Sequence, residues 1–159
     1  MKNRIAVAIV AATSAVAMAK PAKLVTTKID KVTLGVPKGY KAAVAEKCIA
    51  YEGGGSLYVI RTSTSREDFE KKEAEAKDAK KVAKDKVLCF ERSKPGENAR
   101  CLVTTDAGNW VTQFVSFGKK YSALGGADTM QAIVESIKDW NGPAYDGTYS
   151  MGNDCPVVK

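Results

Sequence analysis

Four cysteines, Cys48, Cys89, Cys101 and Cys155, constrain this chain more than any other feature. They include no C-x-x-C pair, which a thioredoxin-like redox site and most four-cysteine zinc sites need. An even number of cysteines in an exported chain is typical of disulfide bonds. The cysteines therefore predict a small disulfide-bonded fold, on the condition that the chain leaves the cytoplasm.

The N-terminal sequence predicts that the chain is exported from the cytoplasm. A basic start with Lys2 and Arg4 precedes an apolar run from Ile5 to Ala17, which overlaps the small-x-small triplet Ala17-Met18-Ala19. This pattern is typical of a secretory signal peptide, and the run is shorter than the roughly 20 apolar residues that a membrane anchor needs. We expect residues 1–19 to be removed by cleavage after Ala19. The mature chain is expected to be periplasmic or secreted and to lack a transmembrane anchor, with its formal charge lowered from +7 to +5.

The chain contains no histidine. Ser-His-Asp triads, Cys-His dyads, His-ligated zinc and axial-histidine haem are therefore excluded. Acid pairs such as Glu67/Asp68 lie on a predicted solvated helix, where they complement the helix dipole. We predict no catalytic, cofactor-binding or metal-ligating residue, and we expect the protein not to be an enzyme.

The first half of the mature chain is patterned as strands followed by one helix. Residues 24–36 alternate as a strand or short hairpin, and residues 43–52 and 57–62 predict a second hairpin. Its turn is formed by Gly53, Gly54 and Gly55, which no Gly-Lys-Ser/Thr follows, so a phosphate loop is not expected. A capping box at residues 64–67 predicts a helix of about five turns that ends near Lys84. Acids and lysines balance along this helix, so nucleic-acid binding is not expected.

The second half predicts a sheet and a closing helix. Strands at residues 87–92 and 100–105 flank a turn, and the strand from Trp110 is apolar on both faces, which indicates a central position. The last helix is predicted from Asp128 as N-cap to Trp140, with Ile133 and Ile137 facing the core. Residues 20–143 therefore form one α+β domain with an antiparallel sheet of about six strands flanked by helices. Residues 144–159 form a C-terminal tail.

The disulfide pairing follows from the register of one hairpin. If its turn centres on Pro95-Gly96, antiparallel partners have residue numbers that sum to about 190. Cys89 and Cys101 then lie opposite each other, and Cys48 is left to pair with Cys155. The pairing of Cys48 with Cys89 and of Cys101 with Cys155 stays open, because it needs only a different register or a neighbouring-strand contact.

Two segments resemble a known family. The strand-Pro-x-Gly-aromatic sequence from Val32 to Tyr40 resembles the opening of the PsbP-like superfamily, which includes small exported DcrB-like domains. Residues 120–124 and the helix that follows resemble its closing strand and helix. The resemblance implies an α/β/α sandwich around an antiparallel sheet, and an accessory or binding role without catalysis. The cysteines and the tail depart from the family, which leaves open another small disulfide-bonded sheet protein, such as an envelope lysozyme inhibitor.

Two functions are consistent with these features. The first is a non-catalytic exported binding or accessory module of the cell envelope, whose partner is an envelope protein or an anionic surface component. The alternative is an inhibitor or immunity protein of a secreted hydrolase, although the positive charge argues against cationic lysozymes as targets. The candidate interaction loops are the two turns at Gly53, Gly54, Gly55 and at Lys94, Pro95, Gly96.

Overall fold

The computed structural model describes residues 22–92, 99–116, 124–146 and 154–159. Its strands and helices follow one another along the chain as β1 (Leu24–Ile29), β2 (Val32–Pro37), β3 (Lys41–Val44), β4 (Ile49–Glu52), β5 (Ser56–Thr62), α1 (Arg66–Glu73), β6 (Lys80–Ala83), β7 (Val87–Glu91), β8 (Ala99–Thr105), β9 (Gly108–Val115) and α2 (Gly126–Ser136). The signal-peptide prediction for residues 1–19 lies outside the described residues.

The fold is centred on a seven-stranded antiparallel sheet with the strand order β3-β4-β5-β9-β8-β7-β6. β1 and β2 form a separate two-stranded antiparallel sheet. The predicted α+β class, the β4–β5 and β7–β8 hairpins and the central position of the strand that contains Trp110 are confirmed. The prediction of one strand over residues 43–52 is wrong, because the chain turns within this segment and forms β3 and β4, which pair with each other. This split and the addition of β6 at the edge give the main sheet seven strands instead of about six, although β1 and β2 stand apart from it.

Both faces of the main sheet are covered, as the two apolar faces of β9 predict. On one face, α2 and β2 pack over the sheet, and Met130 and Ile133 of α2 are almost fully buried. On the other face, the ring of Phe69 from α1 lies 6.0 Å from the ring of Phe90, edge to face. The sheet is therefore the middle layer between two apolar cores.

The prediction of a helix to Lys84 is wrong. The N-cap is Ser65, one residue after Thr64 of the predicted capping box, and it accepts a hydrogen bond from the Asp68 backbone N–H. The helix that it begins ends at Glu73. Residues 80–83 pair instead with β7 as an edge strand. Their composition favours a helix, and the hydrogen bonds that the open edge of β7 offers outweigh that weak preference. The lysines that begin β6 are typical of an edge strand protected from association.

The prediction that the last helix runs to Trp140 is also wrong. α2 begins after Gly125, not with Asp128 as N-cap, and it ends at Ser136. Ile137 is extended and half-buried, because Lys138 exchanges two backbone hydrogen bonds with Thr33 of β2. The Trp140 ring is buried beyond the helix end. The competing strand-like bridge to β2 therefore ends the helix early.

Two disulfide bonds cross-link the chain. Cys89 and Cys101 lie opposite each other in the β7–β8 pair, and their sulfurs are bonded. Cys48 is bonded to Cys155 across 107 residues. This is the pairing that the hairpin register predicts. The C-terminal tail is thereby fixed at Cys155, and its start is held by a parallel bridge between Tyr145 and Thr62.

Candidate functional site

The glycine turn at Gly53, Gly54 and Gly55 joins β4 to β5 and is closed by the Gly53 N–H, which donates to the Gly55 carbonyl. A Cβ atom at Gly53 would lie 2.6 Å from the Tyr40 ring, and one at Gly55 would lie 2.6 Å from the Phe114 ring. Glycine is therefore required here because the backbone packs directly against two aromatic rings. The structure gives this turn a packing role.

The second predicted loop, at Lys94, Pro95 and Gly96, lies outside the described residues. The residues that flank it are described, and Glu91 pairs with Ala99. Ala99 in turn pairs with Phe114, which pairs with Leu57 of β5. The strand ends that flank both predicted loops therefore lie at the same end of the main sheet.

A charged cluster connects α1 to the sheet. The Glu73 carboxylate, 2% exposed, lies 2.8 Å from an Arg100 guanidinium nitrogen and 3.4 Å from one of Arg92. Arg92 also contacts Asp78 at 3.3 Å. The two positive and two negative charges cancel, and the buried carboxylate is paired as burial requires. The cluster therefore joins α1 to β8 and to the residue that follows β7.

An arginine and a tryptophan form a second polar contact, at the other end of the sheet. The Arg61 guanidinium lies 5.5 Å from the centre of the Trp110 ring, a cation–π geometry. It also donates hydrogen bonds to the carbonyls of Ala107 and Gly142. Because these contacts tie two loops to β5, the cluster has a structural explanation.

A third charged region is a lysine-rich surface on the small sheet. We define the basic hairpin surface as residues 23–41 with residues 138–139. Its lysines, all exposed, are Lys23, Lys28, Lys31, Lys38, Lys41 and Lys138. Its acidic residues are Asp30 and Asp139. None of these six lysines takes part in the ion pairs found within the described ranges. The surface therefore has an uncompensated positive charge.

Backbone pairing places two of these lysines in one row. Lys28 is opposite Thr33 in the β1–β2 pair, and Thr33 is opposite Lys138 in an antiparallel bridge. Residues directly opposite one another share a face, and neighbouring strands are about 4.8 Å apart. Lys28 and Lys138 therefore flank Thr33 on one side of the hairpin.

The other end of the hairpin has a similar grouping. The Lys38 backbone N–H donates to the Lys23 carbonyl at 3.0 Å, so these two lysines adjoin. Lys41 begins β3 just beyond the same turn. Tyr40, between them, is partly buried, and this burial, together with the nearby Glu52 carboxylate, raises the pKa of its hydroxyl. The tyrosine is uncharged at neutral pH, so it leaves the positive charge of the turn intact.

One buried polar atom lies apart from these surfaces. The Tyr51 hydroxyl lies in the core beneath the hairpin and makes no hydrogen bond within the described part of the chain. Burial raises its pKa above the ordinary value for tyrosine. The hydroxyl is therefore uncharged throughout the neutral range.

The described ranges contain neither a cluster of metal-ligating residues nor a membrane-spanning helix. No group of three or more His, Cys, Asp or Glu residues is placed there to hold a metal ion. No helix there is long and apolar enough to cross a membrane. The disulfides are compatible with a secreted or periplasmic protein. In comparisons with known proteins, no protein-family model matches this chain and no curated protein matches it.

The basic hairpin surface was not predicted from the sequence. The signal was present, since residues 23–47 contain six lysines and only two acidic residues, Asp30 and Glu46. The net charge of the chain alone does not show that these lysines lie together. The bridge from Thr33 to Lys138 had no local signal, because it joins residues more than 100 positions apart in the sequence.

Proposed function

We propose that this protein is a non-catalytic binding module of the cell envelope, periplasmic or secreted, that recognises an anionic envelope component. The recognition site is the basic hairpin surface. One observation supports this most strongly: the row formed by Lys28, Thr33 and Lys138 sets two exposed lysines on either side of Thr33, with no ion pair to either in the described residues.

The electrostatics of the surface favour an anion. Exposed lysines without a carboxylate partner attract carboxylate or phosphate groups over a distance of about 8 Å at physiological ionic strength. The hairpin beneath them is held by Gly35, whose N–H donates to the Ser136 hydroxyl of α2 at 2.8 Å. The charges are therefore displayed on a fixed backbone, which reduces the ordering cost of binding.

We also propose that the chain is a PsbP-like domain of the DcrB type. Support comes from an antiparallel sheet with α2 and the hairpin on one face and α1 on the other. An accessory or binding role, as in that family, agrees with the proposed function.

The test compares anionic probes with a zwitterionic control. The mature protein is titrated with polyglutamate, with vesicles that contain phosphatidylglycerol, and with zwitterionic phosphatidylcholine vesicles as the control. We expect binding to at least one anionic probe and none to the control, with an affinity that falls as salt rises. Equal binding to the zwitterionic vesicles, or binding to neither anionic probe, would contradict the proposal.

A second candidate function is inhibition of a secreted hydrolase. It is favoured by the position of the strand ends that flank both predicted loops, at one end of a disulfide-bonded sheet. Loops grouped on a rigid scaffold are the usual form of such an inhibitor. A stoichiometric complex with a single hydrolase, together with loss of that hydrolase's activity, would favour this candidate.

A further inference from the structure

β1 has an open edge. Among the described strands it pairs with β2 alone. The Lys23 carbonyl accepts from the Lys38 N–H, so it faces the β2 side. Backbone groups alternate in direction along an antiparallel strand. Leu24, Thr26 and Lys28 therefore direct their N–H and C=O groups away from β2, toward the open edge.

One apolar side chain on this strand is left uncovered. Val25 lies opposite Val36 in the β1–β2 pair, so the two share a face. Val36 is buried, whereas Val25 is 53% exposed, and it is one of two exposed large hydrophobic residues in the described part of the chain. The core therefore ends short of Val25, and a strand placed beside β1 would cover this side chain.

We propose that the β1 edge binds an extended acidic segment of a partner polypeptide as an added β-strand. This inference rests on the proposed function and specifies its partner. The incoming backbone pairs with the outward groups of Leu24, Thr26 and Lys28, as in other strand-addition complexes. Its carboxylates face the lysines that flank this edge.

The charge of the edge identifies the occupant. Lys23 and Lys28 lie on or next to β1, and Lys31 lies in the turn that follows it, with Asp30 as the one acidic residue of this segment. A second copy of the chain would bring the same lysines to the interface, and like charges would repel. An acidic strand neutralises them and covers Val25 at the same time.

The experiment uses Thr26, because its outward N–H serves no bond to β2. Thr26→Pro removes this donor, and proline is tolerated on an edge strand where the N–H faces outward. Thr26→Ala is the matched control. Each variant is titrated with a short synthetic peptide of alternating Glu and Val, and with phosphatidylglycerol vesicles. Urea unfolding of both variants checks that the fold is retained.

We expect the wild-type protein and Thr26→Ala to bind the peptide and Thr26→Pro to bind it about tenfold more weakly. Hydrogen exchange at the Thr26 and Lys28 amides should slow when the peptide binds. If Thr26→Pro binds the peptide as Thr26→Ala does, or if these amides are already protected in the free protein, strand addition is wrong. Peptide-independent dimerisation through β1 would also overturn it. Vesicle binding without peptide binding would refute this inference and leave the proposed function intact.

Discussion

The Ser136 hydroxyl accepts a hydrogen bond from the Gly35 backbone N–H, with 2.8 Å between oxygen and nitrogen. This bond joins the last residue of α2 to the middle of β2. The position is tight, because a Cβ atom at Gly35 would lie 3.1 Å from the Ser136 oxygen and 2.9 Å from Leu24. The hairpin that displays the lysines is therefore tied to α2 at this point.

Replacement of Ser136 should loosen this contact. Ser136→Ala leaves the buried Gly35 N–H without its acceptor, and we expect a loss of about 1–3 kcal/mol in the free energy of unfolding. Urea unfolding of Ser136→Ala beside Glu135→Ala, an exposed neighbour, measures this loss. Equal midpoints for the two variants would show that the bond contributes nothing.

The buried carboxylate of Glu73 should be needed for stability. Glu73→Ala removes the buried carboxylate that Arg92 and Arg100 share, and we expect a loss of about 1.5–3 kcal/mol, because both arginines are partly exposed and Arg92 keeps Asp78. Glu67→Ala, on an exposed position of the same helix, should change stability by less than about 0.5 kcal/mol. Thermal unfolding of both variants measures the difference. A small effect at Glu73 would mean that α1 is held by Phe69 alone.

The disulfide between Cys48 and Cys155 should stabilise the whole fold. It closes a loop of 107 residues, for which the chain-entropy model gives about 4.7 kcal/mol. The double variant Cys48→Ser/Cys155→Ser should therefore unfold at a much lower urea concentration without reductant. Cys89 and Cys101, left unchanged, keep the hairpin closed in both proteins. An unchanged midpoint would show that the tail is not fixed by this bond.

Tyr145 should make stability depend on pH in the alkaline range. Burial and its hydrogen bond to Asp154, at 2.6 Å, raise the pKa of this tyrosine to about 12. The folded chain therefore holds the proton more tightly than the unfolded chain, whose tyrosines keep a pKa of about 10. The resulting stabilisation is complete below about pH 10 and is lost as the pH rises toward about 12.

The measurement is urea unfolding between about pH 9 and pH 11. We expect the free energy of unfolding to fall less steeply with pH in Tyr145→Phe than in the wild-type protein. Tyr58→Phe, for which no such acidic partner is found in the described residues, serves as the control. Parallel pH profiles for Tyr145→Phe and the wild-type protein would contradict the assignment.

Local patterns predict much of this fold, and pairing between strands explains the rest. The alternation on both faces of β9 correctly indicates the centre of the sheet, and the register of the β7–β8 hairpin brings Cys89 opposite Cys101. The segment from Ala74 to Ala83 reads as helix because its composition favours helix locally. Its strand depends on pairing with β7, the next strand along the chain, and this pairing leaves no periodic signal in the segment itself.

The candidate site is less predictable for the same reason. The sequence indicates an interaction loop at Gly53 and Gly55 because glycines form turns. In the structure, packing against Tyr40 and Phe114 explains both glycines. The basic hairpin surface depends on the bridge that brings Lys138 beside β2, and nothing local to Lys138 encodes that contact.

Charge reversal tests the central proposal, that the basic hairpin surface binds an anionic partner. Lys28→Glu/Lys138→Glu is compared with Lys71→Glu/Lys86→Glu, which changes the net charge equally at exposed positions outside that surface. Affinity for the anionic probe that the wild-type protein binds is measured at one salt concentration. We predict that the hairpin variant binds more than about tenfold more weakly and the control less than about threefold. Equal losses in the two variants would contradict a site at Lys28 and Lys138.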